Sequence, residues 1–149
     1  MRKILAATTA ALAVFAALWF GHAPPRSVAA YSKLATQTVE YLHSQVQTAR
    51  LWAEAVARGD ATHQAAVVAL DEAESDAGAT ADRFAGWDPP SGADGIRDTV
   101  TSAGDEVTEA LARLRIAAHR DQWSELPQLA GTLPDLAQRL DDLHRELTR

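Results

Sequence analysis

A chain of 149 residues with a net charge of −6, 32 alanines and no cysteine has room for one compact domain and a targeting segment. The missing cysteine excludes thiol catalysis, Cys-ligated zinc, C-x-x-C-H haem attachment and a lipobox-type lipid anchor. Of 14 basic and 20 acidic residues, only Arg2, Lys3 and Arg26 precede Ser27, so the remainder carries 11 basic groups against 20 acids, a net −9 that repels nucleic-acid phosphates and anionic membrane surfaces alike.

The chain opens with Met1-Arg2-Lys3 and continues from Ile4 to Phe20 without a charge, until His22, Pro24 and Pro25 end the run. Positive residues before an apolar stretch fit a signal peptide, with small residues for cleavage near Ser27-Val28-Ala29-Ala30, or an uncleaved anchor with Trp19 and Phe20 at the interface. The anchor is the preferred reading: residues 4–20 in the membrane and the C-terminal domain extracytoplasmic. Secretion after cleavage is the alternative. Residues 1–23 are read as this segment, 24–30 as a linker and 31–149 as the folded domain.

Four helices are expected, over about 28–58, 61–87, 92–119 and 124–148. The first carries Ala35, Val39, Leu42, Val46, Ala49, Ala53 and Val56 at alternating steps of four and three, the period of an amphipathic helix. Gly59 suits its C-terminal stop. The second carries Ala66, Leu70, Ala73, Ala77, Ala81 and Phe84, and Asp88-Pro89-Pro90 ends it. Ser91 or Asp94 is expected to cap the third, whose stripe runs from Ile96 through Val100, Ala103, Val107, Ala110 and Leu114 to Ala117. In the fourth, Leu126, Leu129, Leu133, Leu136, Leu140, Leu143 and Leu147 hold one register across Gly131 and Pro134, which predicts a single kinked helix. Short turns make neighbours antiparallel. The fold class is therefore all-α: an N-terminal hydrophobic helix followed by an up-down four-helix bundle. A faint echo between Ala57-Arg58-Gly59-Asp60 and Ala118-His119-Arg120-Asp121 suggests two similar turns.

Candidate chemistry is sparse. Glu40-x-x-His43 and Asp141-x-x-His144 have the spacing of di-iron bundle ligands, but helical angles turn both acids towards solvent, leaving His43 and His144 as weak metal candidates. His63 falls in the apolar stripe of the second helix, at the end that also holds Trp52 and Trp123. Those three are the candidate small-ligand or haem site. Trp87, Phe84 and Tyr31 should close the opposite end, and His119 should point outward. Arg58-Gly59-Asp60 is read as a helix stop, not as an adhesion tripeptide.

No Gly-x-Ser-x-Gly, His-Glu-x-x-His or phosphate-cradling glycine loop is present, and no cofactor is implied. The expected function is a non-enzymatic helical module of the cell envelope, membrane-anchored or secreted, that serves protein–protein interaction or a structural role. A four-helix bundle that binds a small ligand, haem or a metal is the alternative, and an accessory sensory domain acting through a partner the second.

Overall fold

The computed structural model describes residues 27–149. The expected signal or anchor helix lies outside the described residues. Among those described, no helix is long and apolar enough to cross a membrane.

The described residues are all-helical, with α1 at Val28–Ala57, α2 at His63–Ala85, α3 at Asp94–His119, α4 at Leu126–Ala130 and α5 at Leu133–Leu147. Helix α1 starts where the Ser27 hydroxyl accepts a hydrogen bond from the Ala30 amide at 3.2 Å. Thr62 caps α2 in the same way, through the Ala65 amide at 3.2 Å. Each satisfies an amide that the first turn leaves without a partner. The third start differs from expectation. Ala93, fully buried, occupies the N-cap with no side-chain bond, and Asp94 is already the first helical residue. A position sealed in the core has no room for the solvated cap that Ser91 or Asp94 would supply.

The turns that follow α1 and α3 use one geometry. Gly59 (φ 77°) and Asp121 (φ 56°) each sit in the left-handed region just past the helix. The following amides, Asp60 and Gln122, donate back to Ala55 and Ala117 at 2.8 and 2.9 Å. This is the Schellman stop. The sequence echo thus marks two equivalent turns, but the structural match pairs Gly59 with Asp121, one residue off the textual one.

The fourth segment is two helices, not one kinked helix. Proline 134 has no amide to continue the ladder, so α4 ends at Ala130 and α5 begins at Leu133 after Gly131-Thr132. Both intervening residues keep right-handed helical dihedrals. That is why the leucine register survives the break, with Leu126, Leu133, Leu136 and Leu140 all buried.

Helices α1, α2 and α3 alternate in direction, and α4 and α5 continue as one segment that runs antiparallel to α1. Tyr31 at the start of α1 packs its ring 5.3 Å from that of Phe84 at the end of α2. Arg115 of α3 faces Glu74 of α2 at 3.3 Å, and Ser32 of α1 donates to the Leu147 carbonyl of α5 at 3.0 Å. The bundle is not square. Helix α1 touches every other helix, whereas the Cα traces of α2 nowhere come within 8 Å of α4 or α5. Helices α2 and α3 approach closely where Gly104 faces Ala81. In α3 the buried set is Val100, Gly104, Val107, Leu111, Leu114, Ala117 and Ala118. It is rotated from the expected stripe, whose Ile96, Ala103 and Ala110 are only half-buried, because this helix packs against α2 as well as α1.

Candidate functional site

The structure gathers chemistry-bearing side chains at the seam between α1 and α5. The spacing of three residues puts Glu40 and His43 on one flank of α1, and Asp141 and His144 on one flank of α5. Because the two helices run antiparallel, the motifs meet head to tail. His43 Nε2 lies 3.5 Å from Asp141 Oδ1, and His144 Nδ1 lies 3.6 Å from Glu40 Oε1. With Val39 and Leu140 these four line a cavity of about 300 Å³.

Both acids are more than half exposed, as their helical angles required. They nevertheless reach the seam, because positions flanking the apolar stripe on adjacent helices face each other. His43 also contacts the Gln47 side-chain amide nitrogen through Nε2 at 3.3 Å. His144 Nδ1 is shielded from water and has no hydrogen-bond partner among the described residues. No three His, Asp or Glu side chains among the described residues surround a single point as metal ligands do.

At the opposite end of the bundle, the three residues expected to form a ligand site are only partly united. The His63 and Trp123 rings stack, with centroids 3.9 Å apart and planes 8° from parallel. Trp52 instead lines a shallow groove of about 420 Å³ with Thr62, Ala65 and Val68, and neither His63 nor Trp123 contributes to it. His63 is exposed, not sunk in the apolar stripe. It is the first residue of α2, and the stacked indole gives it cover. Trp123 is itself held by its indole N–H, which donates to Asp121 Oδ1 at 3.2 Å. His119 is exposed as expected and has a partner, Asp71 Oδ1 at 2.7 Å.

A third feature lies between α3 and α5, which pack sparsely against each other. A groove of about 550 Å³ opens there. Ala103, Leu136, Leu140 and Leu143 supply its apolar part, and Asp98, Glu106, Asp142 and Glu146 give it an acidic rim. Arg139 in the rim pairs with Glu106, and Arg145 pairs with Asp142. Nothing in the sequence pattern of either helix alone signals this groove. It arises from small and polar groups on α3 (Thr99, Ser102, Ala103) facing the flank of the leucine seam.

Beside the chain's described start, Tyr31 is fully buried and its hydroxyl has no hydrogen-bond partner among the described residues. Burial pushes the phenol above its usual range. Arg97 pulls the other way, and Asp94 and Asp98 add to the rise.

The chain matches no protein-family model, no curated protein and no solved structure.

Proposed function

We infer that this chain is a non-enzymatic helical module of the cell envelope, held outside the cytoplasmic membrane by its N-terminal segment or released there, and that it docks a protein partner. The acid-rimmed groove between α3 and α5 is the observation that carries this reading. Its walls run from Asp98 to Glu106 on α3 and from Leu136 to Glu146 on α5. At a rise of 1.5 Å per residue these are about 12 and 15 Å, or two to three helical turns. The occupant that matches this length and an apolar floor is an amphipathic helix of the partner. Although Asp98, Glu106 and Asp142 are each paired with an arginine, the rim keeps more acids than bases and so favours a basic one. The −9 balance of the domain favours the same sign of partner.

Site-specific photo-crosslinking in the native cell tests this. A crosslinking residue at Ser102 or Glu146 should trap one and the same partner, through a segment rich in Lys or Arg, and added salt should weaken the capture. The same residue at Ser75, which lines a different groove between α2 and α3, should trap none of it. Equal capture from Ser75, or a trapped segment that is acidic, would refute the reading.

A small ligand held by Trp52, His63 and Trp123 has less behind it, because the imidazole already covers a face of one indole and the other tryptophan lines a separate groove. A sensory role exercised through a partner would use the same α3–α5 surface and answers to the same crosslinks.

A further inference from the structure

We propose that the α1–α5 seam binds a divalent transition-metal ion, zinc or one of similar preference, through His43 and His144 with Glu40 and Asp141 closing the site. Distances carry the argument. A hydrogen-bonded imidazole–carboxylate pair spans about 2.7–3.2 Å. This molecule makes one, His119 to Asp71 at 2.7 Å. The two pairs at the seam stand at 3.5 and 3.6 Å, too long for hydrogen bonds. Two ligands on one tetrahedral zinc, with bonds of 2.0–2.1 Å, lie about 3.3–3.4 Å apart. Each seam pair is therefore close to the edge length of a metal tetrahedron.

A further observation points the same way. His144 Nδ1 is shielded from water and has no hydrogen-bond partner among the described residues, a cost that a metal bond would remove. The Gln47 side-chain amide lies 3.3 Å from His43 Nε2, a long contact whose donor depends on the imidazole tautomer, so it does not hold this ring nitrogen away from a metal. The ion would replace that long contact.

The four groups do not converge on one point without the ion. The change needed is small in kind: Glu40 and Asp141 are 58% and 56% exposed and can rotate inward without disturbing the core. Two imidazoles and two carboxylates select zinc, copper(II) or nickel over magnesium or calcium, which prefer all-oxygen shells. A bound ion would clip α5 to α1 and stabilise the fold by mass action.

The test is calorimetric titration of the full chain with zinc chloride, with magnesium chloride as control, together with thermal melts before and after EDTA. The wild type should bind one zinc ion, melt higher with zinc and return to its starting melting temperature with EDTA. Magnesium should do neither. His43→Ala and His144→Ala should each weaken zinc binding by more than the roughly 10–100-fold that follows loss of a supporting outer-shell group. His119→Ala should bind as the wild type does, while its unchanged metal-free melt relative to the seam variants checks that the fold is retained. Zinc binding that survives in the His43→Ala/His144→Ala double variant would mean that exposed acids hold the ion adventitiously. That result, or no binding by the wild type, overturns the proposal.

Discussion

The tightest helix contact gives the sharpest stability prediction. A Cβ placed on Gly104 would lie 2.8 Å from the Cβ of Ala81 and 3.7 Å from its Cα. Ordinary carbon contacts sit at about 3.5–4.0 Å, and the Ala81 methyl is fixed to its backbone, so α2 and α3 must part by roughly 0.7–1 Å. Overpacking of this kind costs about 1–3 kcal/mol. Replacing a mid-helix glycine by alanine returns about 1 kcal/mol of helix propensity. Gly104→Ala should therefore be destabilising by up to about 2 kcal/mol.

Gly78, on the facing helix, provides the control. A Cβ there meets only the Thr108 methyl, at an unstrained 3.8 Å. Gly78→Ala should stabilise by about 0.5–1 kcal/mol. Both variants receive the same propensity term, so the gap between them, about 1–3 kcal/mol, isolates the clash. For a domain of this size it corresponds to a separation in Tm of several degrees, at about 3–6 °C per kcal/mol. The assay is urea and thermal unfolding followed by circular dichroism at the helix band, with unchanged m-values confirming a common unfolded state. Moving the methyl across the gap, in Ala81→Gly/Gly104→Ala, should recover most of the loss. If Gly104→Ala melts at or above Gly78→Ala, the account of the α2–α3 contact is wrong.

Three other outcomes are expected. Tyr31→Phe deletes a buried hydroxyl that lacks a partner among the described residues, and should be neutral or stabilising by about 1 kcal/mol in equilibrium unfolding. The raised phenol pKa also sets a pH dependence. Above about pH 10 the unfolded chain ionises first, so stability is full below that pH and falls as pH climbs towards the folded value; the Phe variant should lose this component of its alkaline unfolding profile. Gly59→Ala forces a methyl into the left-handed region and should cost about 1–2 kcal/mol, whereas Asp121→Asn, which keeps an acceptor for the Trp123 indole, should change Tm by less than about 2 °C. Phe84→Ala should cost about 3–5 kcal/mol by emptying the space beside Tyr31, measurable as a lowered urea midpoint.

The four helical segments and most of the core were legible because period alone decides them. Ala35 through Ala53 on α1, and Ala66 through Ala77 with Phe84 on α2, are buried as their spacing demanded. The break at Gly131-Thr132 was misjudged because an unbroken leucine register was taken for an unbroken hydrogen-bond ladder, and Pro134 removes a ladder bond without disturbing the register. The missing cap at α3 reflects burial of Ala93, which no local residue type announces. At the seam, the helical angle of each acid was right, but it gave no sign that each acid would lie 3.5–3.6 Å from an imidazole of the neighbouring helix. An angle computed on one helix says nothing about the neighbour's flank, and Glu40 and Asp141 come near imidazoles only because α1 and α5 lie antiparallel. The α3–α5 groove was invisible for the same reason, since it belongs to two helices and to neither.

The unequal contacts among the helices have a consequence for how a disturbance spreads. With α2 out of reach of α4 and α5, news of an event at the leucine seam can travel to α2 only by way of α1 or α3. Double-mutant cycles between the exposed halves of α2 and α5 should sum without a coupling energy, while cycles that include α1 should not. The longest helix is thus the switchboard of the molecule, and a partner or ion that grips it is in touch with every other helix at once.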